Sequence, residues 1–161
     1  MHRALIILSL ALTSLAFAGV VDSPLPVLSA GQTTYHLFTV PSTIASGGIE
    51  TFFGCTSLEE TATIQVGVEL FGPAGGAPGN DAAATSLSVA ASGTVLFGSA
   101  AVGLFPDSNP GIPFLSKGSA RILATESRGI ICTAFLADTG SDPPTSMVHL
   151  NIVKKTKQKG D

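Results

Sequence analysis

The stretch Thr61-Ala62-Thr63-Ile64-Gln65-Val66-Gly67-Val68-Glu69-Leu70-Phe71 decides the fold. In an extended chain successive side chains point to opposite faces, so Ile64, Val66, Val68 and Leu70 share one face and Thr63, Gln65, Gly67 and Glu69 the other. The pattern predicts a strand with one face in a core and one toward solvent. No window of the chain carries its apolar residues at the 3.6-residue period of a helix.

Further strands are predicted on both sides of this one, over Thr34–Val40, Ile49–Thr56, Ser86–Val89, Thr94–Gly98, Ser119–Thr125, Ile130–Ala137 and Met147–Val153. Turn chemistry separates them. Ser92-Gly93 and Ser127-Arg128-Gly129 are each expected to close a hairpin, and three Pro- and Gly-rich stretches at 72–81, 106–113 and 139–146 read as surface loops. The expected fold is all-β: an antiparallel β-sandwich of about eight strands, with a barrel as the alternative.

The chain starts with a basic residue (Arg3), a largely apolar run from Ala4 to Leu15 and the small-x-small triplet Ala16-Phe17-Ala18. That order predicts a secretory leader over residues 1–18, with the mature chain starting at Gly19; an uncleaved anchor is the rival reading. Residues 19–32, with Pro24 and Pro26, read as an N-terminal arm or an edge strand, 33–153 as the β-domain and 154–161 as a basic tail. Export places the protein in the periplasm, at the cell surface or in the medium.

Charge is sparse and segregated. Of the 161 residues, 8 are Lys or Arg and 11 are Asp or Glu, and Lys154, Lys155, Lys157 and Lys159 stand together at the end. The body between leader and tail keeps Lys117, Arg121 and Arg128 as its basic residues, which argues against nucleic acid, whose affinity comes mainly from phosphate neutralisation. The four tail lysines are the candidate contact for a polyanion, against the plainer reading of a solvated end. After leader removal no membrane span is expected.

Cys55 and Cys132 are the two cysteines, and in an oxidising compartment an even count predicts a disulfide. Cys55 shares a strand face with Ile49, Thr51 and Phe53, and Cys132 with Ile130, Ala134 and Leu136. A bond between an early and a late strand across a sandwich is similar to the layout of immunoglobulin-like domains. The chain departs from those domains in having no Trp, and in carrying Ile130 where their tyrosine corner would place Tyr.

The opposite faces of the two cysteine strands are also apolar, through Phe52 on one and Ile131 and Phe135 on the other. The expected reason is coverage by the chain itself, by the arm or by residues 99–105; the alternative is a contact surface for another protein or a second copy.

No nucleophile elbow, HExxH, SxxK or P-loop occurs, and no catalytic residue or cofactor is assigned. His36 and His149, alternating with apolar neighbours, are expected to face outward. Asp107-Ser108-Asn109 begins like a calcium loop but lacks the later ligands, and Asp138 with Asp142 could converge only through loop geometry; no metal site is assigned to these four acids and amides.

These observations predict an exported, non-enzymatic structural or binding module. Chaperone-assembled pilins resemble the chain in length, export and a single disulfide, which makes a fimbria-like subunit donating the arm as a strand the first alternative. The end Lys159-Gly160-Asp161 lacks the tyrosine such subunits carry near the C-terminus. The second alternative is a small hydrolase in which Asp138, Asp142 or Glu59 meets His149.

Overall fold

The protein is described by a computed structural model covering residues 19–98, 104, 106–111 and 114–155. The predicted leader, residues 1–18, and Lys157 and Lys159 lie outside the described residues. Among the described residues nine strands are formed: β1 (Tyr35–Ser46), β2 (Ile49–Ser57), β3 (Ile64–Phe71), β4 (Leu87–Val89), β5 (Thr94–Gly98), β6 (Leu115–Ala124), β7 (Ile130–Asp138), β8 (Met147–Leu150) and β9 (Val153–Lys154). All strand pairs are antiparallel. They belong to one main sheet in the order β4-β3-β6-β1-β2-β7-β8, with β5 beside β2 and β9 beside β1; the sheet does not close. The all-β expectation holds, and the barrel alternative does not.

Each predicted strand is present: Thr94–Gly98 keeps its expected ends, Met147–Val153 is split into β8 and β9, and the others are shifted at one or both ends. The largest change is in β1, which runs on past Pro41 to Ser46. Irregularities in its pairing with β6 between Pro41 and Thr43 and between Thr43 and Ala45 absorb the proline, which cannot donate to a ladder, and Ser42 takes a positive φ of 64° there. Gly47 and Gly48, at φ 64° and 77°, then turn the chain into β2. Two successive left-handed residues are what a type I′ hairpin turn requires.

The two halves of the sheet meet at few points. Strands β4, β3, β6 and β1 form one half and β5, β2, β7 and β8 the other, joined by the hairpin pairs Ala45↔Glu50 and Ser46↔Ile49. Ser92-Gly93 and Ser127-Arg128-Gly129 do not close hairpins as expected: β4 pairs β3 while β5 pairs β2, and β6 and β7 likewise lie in different halves. These turns carry the chain from one half to the other. Backbone bonds tie the crossings together at one end, from Ser57 N to Gly93 O (2.9 Å), Leu58 N to Gly129 O (2.7 Å) and Ser92 N to Glu59 O (3.2 Å).

One core takes side chains from both halves. It includes Val66, Val68 and Leu70 of β3, Ala120 and Ile122 of β6, Phe53 and Cys55 of β2, Phe97 of β5 and Ala134 of β7. The apolar face read from the alternation of β3 is therefore the core face. Its partner face is not solvated as expected: Gly67 is buried and Glu69 is 3% exposed. The arm covers it. Leu28 packs with Ala82 and Leu123 in a second small cluster, and a Cβ at Gly67 would lie 3.0 Å from Leu28 Cδ2, so the missing side chain makes room for the arm.

The disulfide also differs from expectation. Cys55 and Cys132 are bonded, but as directly opposed residues of the neighbouring strands β2 and β7, with Cα atoms 4.1 Å apart. That separation is near the spacing of a non-hydrogen-bonded antiparallel pair. The bond staples two adjacent strands of one half instead of crossing between layers, because alternation dictates which face a cysteine takes but not which strand lies beside it.

Candidate functional site

An open cavity lies where the arm, the start of β1 and β9 meet. β9 docks on β1 through Phe38↔Lys154 and Thr39↔Val153, and Lys155 N donates to Leu37 O at 2.8 Å. A cavity of about 340 Å³ opens there, with Leu25, Thr34 and Leu37 as walls and Tyr35, Lys154 and Lys155 around it. The register of β1 on β6 skips Leu37, from His36↔Leu123 to Phe38↔Ile122, so both His36 and Leu37 are turned inward.

His36 contributes to the cavity wall and is 9% exposed, against the expectation that it faces outward. Its Nε2 lies 3.0 Å from Thr39 Oγ1, and its Nδ1 is buried with no hydrogen-bond partner. Burial, then the positive charges of Lys155 and Arg121, holds the ring's pKa down at about 4. The ring is therefore neutral at pH 7 in a region of positive potential. Neither Lys154 nor Lys155 has a carboxylate partner among the described residues.

Arg121 anchors the arm that forms one side of this cavity. It is fully buried, pairs through Nε with Glu69 Oε2, and donates from Nη1 to Ser23 O and from Nη2 to Pro24 O, both at 2.9 Å. The guanidinium also lies 5.2 Å from the Phe71 ring centre. Sequence reasoning counted Arg121 and Glu69 as charges and missed the pair. The available signal was an acid in the middle of the alternating stretch opposite a lone arginine in another strand.

Elsewhere the predicted site residues are distributed as follows. Phe52 is fully buried and stacks on its cross-strand partner Phe135, with ring centres 5.4 Å apart, whereas Ile131 is 55% exposed. The open part of that face is a depression of about 200 Å³ over Gly54, bordered by Thr56, Thr94, Ile131 and Thr133. Most of residues 99–105 lies outside the described residues.

Asp138 and Asn109 brace the loops they adjoin, and Asp107 ties its loop to β5. Asp107 Oδ2 accepts from Leu96 N at 2.7 Å, and Asn109 Oδ1 accepts from Gly111 N at 2.7 Å. Asp138 accepts from Ser146 N (2.6 Å), Thr145 Oγ1 (2.9 Å) and Ser141 Oγ (3.0 Å), and the bond from Ser146 N leads in holding its carboxyl below the usual range. His149 is exposed on β8 with its Nε2 3.1 Å from Thr133 Oγ1. Among the described residues no three of His, Cys, Asp and Glu gather as metal ligands.

In comparisons with known proteins, no family model, no curated protein and no solved structure matches this chain.

Proposed function

We propose that the chain is an exported, non-enzymatic structural or binding module whose two half-sheets face each other as the layers of a β-sandwich. The observation that carries this reading is the Cys55–Cys132 bond. A cross-strand disulfide persists in an oxidising compartment, and it agrees with the export signal read from residues 1–18. The shared core and the crossings between halves support the two-layer arrangement.

Two features favour a module over the alternatives. The arm is bound to its own sheet by Arg121 and Leu28, which suits a fixed element better than a strand for donation. Asp138 has three hydrogen bonds within its loop, and His149 bonds Thr133, so each has a structural task where a hydrolase would need them in contact.

Expression of the full chain in a secreting host, followed by intact-mass analysis of each fraction, tests this reading. The expected species is outside the cytoplasm, begins at Gly19 and is lighter by the hydrogens lost in forming the disulfide. A cytoplasmic chain with leader and free thiols overturns it.

A further inference from the structure

We propose that the cavity between the arm, β1 and β9 is a binding site for a small amphiphilic anion, an apolar chain with one carboxylate or phosphate head. This names a ligand class for the binding function proposed above and rests on that reading only for where such a ligand would be met.

The cavity divides by chemistry. Leu25 and Leu37 offer apolar wall, and the lysines stand at the side formed by β9. At about 340 Å³ it falls at the small end of ligand cavities, which run from about 300 to 1,000 Å³ and are mostly apolar with a few placed polar groups. Its apolar walls suit a short acyl chain better than a sugar.

The head group is specified by charge. Lys154 and Lys155 are consecutive and both line the cavity, no acid lines it, and neither lysine is neutralised by a described carboxylate. Backbone pairing of β9 with β1, and the bond from Lys155 N to Leu37 O, hold their main chain at the edge of the cavity. His36, nine-tenths buried, forms part of the wall beside them. Its position also makes it a reporter of occupancy.

The test is an NMR titration of the mature chain, Gly19 onward, with octanoate, following the rings of His36 and His149. The expected result is saturable binding with a Kd of about a millimolar or tighter that shifts His36 and leaves His149 in place. Octyl phosphate should behave alike, showing that the anionic head and not its identity is read. Replacing both lysines, Lys154→Gln with Lys155→Gln, should weaken binding by about tenfold, and since both side chains are exposed the fold is retained. Acetate or inorganic phosphate binding as well as octanoate would remove the apolar part of the proposal. Equal binding of octyltrimethylammonium, undiminished binding by the double variant, or an unmoved His36 would each overturn it. None of these outcomes alters the export measurement, so the two readings fail separately.

Discussion

Arg121 lies directly opposite Glu69 across the β6–β3 ladder, and the two form a buried ion pair whose remaining guanidinium N–H groups hold the Ser23 and Pro24 carbonyls. Two strands and the arm thus share one charged centre. Removing one partner of such a pair leaves an uncompensated buried charge, which is far more costly than replacing both partners by apolar groups. Arg121→Met is expected to destabilise the domain by about 3–5 kcal/mol, and Glu69→Leu added to it should recover much of the loss. Urea unfolding of the single and double variants checks this; equal loss in both would show that the pair is not the source.

Gly67 gives a second, independent handle on the arm. A Cβ there would stand 3.0 Å from Leu28 Cδ2 and 3.1 Å from the Ala82 carbonyl oxygen. Gly67→Val should cost about 1–3 kcal/mol by overpacking and displace Leu28. Limited proteolysis reads the displacement: new cleavage between residues 20 and 32 is expected, and a pattern unchanged from the parent would contradict the packing.

The disulfide closes a span of 77 residues between strands that are already neighbours. Most of its effect then comes from restricting the unfolded chain, and Cys55→Ala with Cys132→Ala is expected to cost about 2–5 kcal/mol. The melting temperature should fall while the far-UV spectrum stays that of a β-protein.

His36 makes stability depend on pH. Its folded pKa of about 4 lies below the ordinary 6.5, so the unfolded chain takes up the proton first as pH falls. Its contribution is complete above 6.5 and is lost on the way down toward 4. Allowing for water at the open side of the cavity, a loss of about 1 kcal/mol is expected by roughly pH 5, before most carboxylates titrate. Unfolding curves at pH 7 and 5 check it, and His36→Gln should remove the difference.

Strand content was legible because period-two alternation depends on neighbouring residues alone. Ile64, Val66, Val68 and Leu70 announce a core face wherever the strand is placed. What joins to what was not legible: Ser92-Gly93 and Ser127-Arg128-Gly129 have hairpin chemistry, yet both cross between half-sheets, since a turn reverses the chain without choosing its partner. The Gly47-Gly48 hairpin follows a strand whose apolar alternation is broken at Pro41 and Ser42, so the pattern marks that strand only as far as Val40. The cavity was hidden for a different reason. Leu25, His36 and Lys155 come from three segments that meet only after the arm has folded over β3 and β6, and solvent exposure was wrongly assigned to His36 for the same reason.

The central structural claim is that the arm is a fixed part of the module, closing its sheet and walling its cavity. Hydrogen–deuterium exchange of the mature chain tests it most directly, read at the amides of Ser23, Leu28 and Gln32, which donate to Gly19 O, Thr34 Oγ1 and Ser29 O. Slow exchange at all three positions, lost in Arg121→Met, is the predicted result. Exchange at the rate of a free peptide in the parent chain would contradict it and return the arm to the role of a strand available for donation.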